Sequence, residues 1–414
     1  MSLALIALLS LVAILVVAGF RNDLNAGILA IAVAYALGMT AAGLSASEIA
    51  ALLPSQLILT IVGVAMLFEL ANQNGTLEQI THFSIRLVHG HHRLLPLSFF
   101  VLSFMLSALG PGNIAATALI APVAMQTAVS AGVRPVLMAV LVCTGANAGA
   151  FSPVSLTGII NTALIQNIGL TASILPLKIF LMLALIQTLS ALAAYVLFGG
   201  YRLADTTHVL HSRASPLNKN HIFTLVALGF FIVSIVIFKL PASVGAFTLV
   251  SLLTLFRVSN IEDSLKHLPW GVVILISGIG LLIELLQMMG SLELTTTLLA
   301  QYASPSYINA LIAFVTGLAS LGSSSSGVVM PLFIPLAPDI LQKVGGGDLT
   351  NAVIAIDLGS HMVDVSPLST LGALCLAALP ETVNRSRLFR QLLTWGVSMT
   401  FVAALLAFWF LDFF

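Results

Sequence analysis

Two short polar interruptions carry the residues that can do chemistry, and they are copies of each other. Ser152-Pro153-x-Ser155-x-x-Gly158 recurs as Ser366-Pro367-x-Ser369-x-x-Gly372, each inside a long apolar run. Proline removes a helix N–H and frees a carbonyl. A freed carbonyl beside serine hydroxyls is a hard, oxygen-rich site suited to Na+. Either copy alone also reads as a proline kink satisfied by its own serines. Upstream of each break lies a small-residue tip: Ser107-Ala-Leu-Gly110-Pro-Gly112-Asn113 in the first half, Leu321-Gly-Ser323-Ser324-Ser325-Ser326-Gly327 in the second. A helix that starts at such a tip leaves N–H groups unpaired, and these bind anions. Glycine lets the backbone approach a ligand, and Asn113 and the serines add groups that donate to a carboxylate or coordinate a cation. The plainer reading of a single tip is a tight interhelical turn packed through small residues.

Ionisable residues sit beside the second break. Asp357, His361 and Asp364 are spaced i, i+4, i+7, one face of a continuous helix. By the repeat offset, Asp364 corresponds to Ala150 and His361 to Asn147, so the two halves are not chemically equal. Cation ligand, proton carrier, substrate contact and polar lock between helices are all open roles. Glu69 and Glu284 lie near the ends of apolar runs, where snorkelling or capping suits them. His89-Gly-His91-His92-Arg93 has no neighbouring carboxylate or cysteine and reads as an interfacial loop. No Lys or Arg lies near the tips. A bound anion would therefore be held by dipoles and neutral donors, which calls for a co-bound cation. The substrate-binding candidates are Gly112, Asn113, Thr157, Ser324, Ser325 and Thr370. The candidates for cation binding or coupling are Ser107, Gly110, Asn147, Ser152, Ser323, His361, Asp364 and Ser366. No metal beyond a possible Na+ and no cofactor is expected, only coupling Na+ or H+.

The elements that position these residues must lie in a bilayer. The chain has 414 residues, 59% hydrophobic and 7% charged, against about a quarter charged in soluble domains. Long apolar runs demand helices, since only helices or closed barrels satisfy their backbone in lipid. Zero net charge argues against nucleic acid. Cys143 and Cys375, the only cysteines, sit in apolar runs and suggest buried structural roles without a disulfide. The first apolar run has no basic residue before it and reads as a retained helix rather than a signal peptide.

The expected fold is all-α and integral to the membrane, with about ten transmembrane helices and two re-entrant hairpins in two inverted repeats. Repeat 1 covers residues 1–200, with a hairpin at 94–131 and a broken helix at 136–168. A cytoplasmic linker covers 201–220. Repeat 2 covers 221–414, with a hairpin at 308–341 and a broken helix at 352–379. Stretches 76–88 and 291–302 suit helices lying in the interface. Lys and Arg crowd one side, with only Lys178, Lys239 and Lys343 on the other. That places both termini outside a cytoplasmic (inner or plasma) membrane. Five spans per half then invert the second half. Length favours re-entry at the first hairpin, because residues 94–109 make about 24 Å of helix against a ~30 Å core.

Gln73-Asn-Gly-Thr-Leu-Glu78, Ser107-Ala-Leu-Gly-Pro-Gly-Asn-Ile-Ala-Ala-Thr-Ala118 and Gly145-Ala-Asn-Ala-Gly-Ala150 resemble the MatC-type dicarboxylate (malonate) carriers. These belong to the ion transporter superfamily, with the divalent anion/sodium symporters. The resemblance is most specific over residues 1–170. It implies inverted repeats, two hairpins, cation-coupled carboxylate uptake and an elevator-type homodimer. The symporters carry Ser-Asn-Thr at their tips; here the first tip matches at Asn113 and the second has serines without asparagine. The resulting expectation is a non-enzymatic secondary transporter for small di- or tricarboxylates. The alternatives are an oxyanion or arsenite-type efflux carrier on the same scaffold, and an intramembrane serine hydrolase using Ser324 or Ser326 with His361. A channel suits paired closed-ended hairpins less well.

Overall fold

A computed structural model describes residues 25–76, 93–203, 217–238, 240–258, 260–268, 270–289, 303–321, 323–380 and 383–412, together with 6, 9–11, 13–14 and 79. The expected span at 3–20, the amphipathic stretches 76–88 and 291–302, the cluster at 89–93, Gly322, Lys239 and the linker at 201–220 lie wholly or partly outside these residues.

Every described regular element is helical. The first half contains α1 (Ala26–Thr40), α2 (Ala46–Ala51), α3 (Ser55–Gln73), α4 (Leu95–Ala108), α5 (Gly112–Ser130), α6 (Pro135–Ala150), α7 (Leu156–Asn167) and α8 (Leu175–Leu197). After a 3-10 turn at Gly200–Arg202 come α9 (Lys219–Val236), α10 (Ala242–Leu255), α11 (Ile261–His267), α12 (Trp270–Met288) and α13 (Ile308–Ser320). A π-turn at Ser325–Val329 leads into α14 (Met330–Phe333) and α15 (Ala337–Val344), then α16 (Leu349–Met362), α17 (Thr370–Ala377) and α18 (Arg385–Ala407). Helix starts fall where short polar side chains can cap them: Asn25, Ser45, Asn218, Asn260, Asp348 and Asn384 each accept from a backbone N–H of the first turn. The order α1 to α8 recurs as α10 to α18, with α14 and α15 standing where α5 stands.

The span count differs from the sequence expectation. Among the described residues three helices are long and apolar enough to cross a bilayer, Gly112–Ser130, Leu175–Leu197 and Arg385–Leu411. A fourth is gained if Ile308–Ser320 and Ser325–Phe333, bent by 118°, count as one. Of the other apolar helices, α1, α4, α6 and α10 have 14–16 residues, and α3, α9 and α12 have 18–19. α1 stops at Thr40 although its apolar run continues to Leu44, whereas α10 matches its run to within one residue at either end. The two arms of the first hairpin are also unequal. α4 has 14 residues, but α5 has 19, about 28 Å and close to a full crossing.

Two helices form the centre. Every residue of 136–150 in α6 and of 352–362 in α16 is buried, as befits helices without a polar face. Each is approached by the first arm of its hairpin through a glycine. A Cβ on Gly145 would lie 2.3 Å from the Phe100 carbonyl oxygen, and one on Gly359 would lie 2.2 Å from that of Ala313. Small residues thus set the spacing of α4 on α6 and α13 on α16, the packing mode expected in lipid.

The halves then exchange elements. α1 packs on α12, and α10 packs on α3. One apolar core gathers α4, α5 and α6 with residues of α17 and the start of α18. The other gathers α13 to α16 with residues of α7 and the start of α8. Each broken helix therefore starts in one core and finishes in the other, so the two breaks are brought face to face. Cys143 on α6 and Cys375 on α17 meet there as free, buried thiols 3.6 Å apart.

Candidate functional site

The first tip is shaped by glycine. Gly110 and Gly112 have φ of 144° and 83°, in the region that favours glycine. A Cβ on Gly110 would also strike the Phe68 ring. The Gly110 carbonyl accepts from the Leu156 N–H at 3.0 Å, so tip and break are joined through backbone. α5 begins at Gly112 with no side-chain cap, leaving its N-terminal N–H groups at the tip. Asn113 is buried. Its Oδ1 accepts from the Ile114 N–H at 3.0 Å and from Thr157 Oγ1 at 3.4 Å, and its Nδ2 donates to Asn147 Oδ1 at 2.7 Å. Ser107 and Ser155 point buried hydroxyls into this region with no hydrogen-bond partner among the described residues.

The second tip closes around a carboxylate. Asp364 lies just beyond the end of α16 and is 4% exposed. Its Oδ1 accepts from Ser325 Oγ at 2.5 Å and from Ser369 Oγ at 2.9 Å. Ser325 Oγ is also 2.6 Å from Ser320 Oγ and 2.9 Å from the Ser360 carbonyl oxygen. One hydroxyl hydrogen cannot serve all these oxygens. The groups that reach Asp364 are hydroxyls and one amide, all neutral.

That amide is Asn147, which comes from the first half. Its Nδ2 donates to the His361 carbonyl at 2.8 Å and lies 3.5 Å from Asp364 Oδ2. Gln187 on α8 donates to the same carbonyl at 3.2 Å. An unbroken series of contacts runs Thr157–Asn113–Asn147–Asp364–Ser325, from one tip to the other.

A cavity of about 380 Å³ opens beside the first tip and is lined by Gly110, Gly112, Asn113, Thr157 and, from the second tip, Ser326. Among the described residues no Lys or Arg lines it.

Other expected residues take structural positions. Ser366 Oγ donates to the Leu321 carbonyl at 3.0 Å, and Ser323 Oγ to the Ala319 carbonyl at 2.6 Å. Ser324 Oγ caps the π-turn by accepting from the Gly327 N–H at 3.1 Å. Ser152 is buried. Pro153 frees the Gly149 carbonyl, four residues back, but that carbonyl accepts from the Ser152 N–H at 3.1 Å; the Val363 carbonyl, freed by Pro367, accepts from the Ser366 N–H at 2.8 Å. The breaks are thus closed turns rather than open carbonyl ladders. Thr370 begins α17, half-buried, outside the cavity lining.

The expected common face of Asp357, His361 and Asp364 does not form, because α16 ends at Met362. Asp357 Oδ2 instead accepts from Asn161 on α7 at 2.7 Å. The His361 ring packs edge-on against Phe151 at 4.6 Å, and its Nδ1 lies near Ser360 Oγ (3.0 Å) and the Asp357 carbonyl (3.1 Å). No hydrogen bond joins His361 to Ser324 or Ser326 among the described residues, so the hydrolase alternative lacks its nucleophile–base pair. Ser320, Gln187 and Asn161 were missed from sequence. Ser320 had a signal, since it directly precedes the second tip. The two amides could have been found as isolated polar residues on apolar helices.

Residues 1–150 match the family described as dicarboxylate carrier protein MatC N-terminus. Direct comparison with curated protein sequences gives no match. Among solved structures, the chain is similar to the YdaH transporter of Alcanivorax borkumensis, whose crystal structure has been described as having an unusual topology. The TM-score is 0.53 at 13% identity, covering 86% of this chain and 84% of that one. At that identity the likeness is one of fold.

Proposed function

We propose that this protein is a secondary active transporter that moves small di- or tricarboxylate anions together with a cation, Na+ in preference to H+. The observation that carries the reading is the series Thr157–Asn113–Asn147–Asp364–Ser325, which ties an anion-suited tip to an oxygen-rich cage. At the tip, the N-terminus of α5 and the second amide hydrogen of Asn113 are suited to a substrate carboxylate. Thr157 and Ser326 complete the contact from the facing break and the opposite tip. In the cage, Asp364, Ser325, Ser369 and the Ser360 carbonyl offer oxygens only, a hard donor set suited to Na+. Asp364 has only neutral neighbours, so a bound cation supplies the missing countercharge. Asn147 spans both sites, so occupancy of the cage orients Asn113.

The exchange of helices between halves and the likeness to a transporter fold support two inverted repeats, at 1–200 and 221–414. In this reading the hairpin tips approach the midplane from opposite sides, and both termini lie outside. Transport is by elevator-type alternating access in a homodimer.

Exchange in proteoliposomes tests the reading. Vesicles loaded with unlabelled malonate, succinate or citrate should accumulate the matching labelled anion from outside, and vesicles loaded with chloride should not. Exchange of arsenite alone, or of no anion, would overturn it.

A further inference from the structure

The walls of the cavity constrain the substrate further than its charge does. Beyond the first tip the chamber runs along the first two turns of α5 and the last turns of α3, between Phe68, Leu106, Leu119, Leu156 and Ile160. Its polar lining is Asn113, Thr157 and Ser326 at the tips and the facing break, with Glu69 and Asn72 in the last two turns of α3 and His267 at the end of α11; the rest is apolar apart from glycine. A substrate charged at both ends would have to bury a carboxylate against the apolar wall or set it beside the Glu69 carboxylate. Burying an unpaired charge is costly, and like charges repel in a partly desolvated chamber. An anion with its carboxylates gathered at one end meets neither penalty. Its remaining body then replaces water along the apolar wall, the usual arrangement of a small-molecule pocket.

We infer that the transported anion has carboxylates grouped at one end and an apolar body, alkyl or aryl, that lies along α5 and α3. The inference rests on the carboxylate-carrier reading and goes beyond it by excluding small, wholly hydrophilic dicarboxylates as the best substrates.

Inhibition of labelled malonate exchange by malonates substituted at carbon 2 tests it. Methyl-, butyl- and benzylmalonate are compared with malonate, using the purified full-length protein in liposomes. Thermal stabilisation of the same protein in detergent reports binding independently of transport. The inhibitory concentration should fall about three- to fourfold for each methylene buried, and stabilisation should rise in the same order. If malonate exchanges but the substituted series inhibits equally or less well, the chamber is only a vestibule, and this inference fails while the carrier reading stands. If no member of the series exchanges, inhibits or stabilises, this inference fails, and the carrier reading fails with it only if succinate and citrate do not exchange either.

Ala118→Phe provides a structural check. Ala118 lines the chamber and is exposed, so an added ring occupies the chamber without displacing core side chains. The advantage of benzylmalonate over malonate should shrink to about unity in this variant. Leu119→Ala, which removes wall surface, should lower the same ratio by about tenfold and serves if the larger substitution prevents insertion. An unchanged ratio in both would overturn the inference.

Discussion

Asp364→Ala should reduce concentrative uptake by at least about a hundredfold while leaving a membrane-inserted protein. The substitution deletes the only charge in the cage and strands three donors, Ser325, Ser369 and Asn147. Removing one member of a buried charged network costs about 3–5 kcal/mol. In this protein that cost falls chiefly on cation binding, because the cage lies where two breaks meet rather than within a continuous helix. Asp364→Asn separates the coupling ions. It keeps the size and an acceptor oxygen but carries no charge. With Na+ as the coupling ion, sodium activation weakens in the variant, and a pH gradient drives uptake in neither protein. With H+ as the coupling ion, the variant mimics the protonated acid, loses pH-driven accumulation and retains exchange. Sodium activation and pH dependence both unchanged from wild type would remove Asp364 from coupling and leave it a polar lock.

Asn147→Ala should raise the half-saturating concentrations of substrate and cation together, each by about tenfold to a hundredfold. Its amide accepts from Asn113 and donates to the His361 carbonyl, with Asp364 within reach. Leaving such buried partners unsatisfied costs about 1–3 kcal/mol apiece. Asn113→Ala provides the contrast. It touches only the tip side of the series, so its larger effect should fall on the substrate constant. Steady-state exchange at varied Na+ and varied substrate checks both. An Asn147→Ala protein with only one constant changed would break the proposed link between the sites.

The sequence already contained much of this arrangement. The paired Ser-Pro breaks and Gly/Ser tips marked the centre because polar interruptions in apolar runs are rare without a purpose. Asp364 stood out as the acid beside a break. Asn113, Asn147 and Thr157 were legible too, but not their connection, since Asn147 and Asp364 are joined only when the two cores trade the second halves of their broken helices. In sequence Ser324 and Ser325 read as substrate contacts, and Ser323 and Ser366 as cation-side groups. What separates them is the local backbone: three satisfy neighbouring carbonyl or N–H groups, and Ser325 alone turns toward the acid. Helix ends were the least legible feature. Hydrophobicity does not stop where hydrogen bonding does, so the run 26–44 overstated α1, which ends at Thr40. The unequal arms of the first hairpin were not read either, because length was weighed for residues 94–109 alone, and the second arm, α5, has 19 residues.

The central claim is that a cation in the Asp364 cage drives a carboxylate across the membrane. Its most direct test is uptake of labelled dicarboxylate into proteoliposomes with Na+ and pH gradients imposed one at a time at zero membrane potential. The account predicts accumulation above equilibrium with inward Na+ alone, collapse when the gradient is dissipated, and no accumulation in Asp364→Ala. Equal uptake with and without either gradient, or gradient-driven accumulation that survives Asp364→Ala, would contradict it.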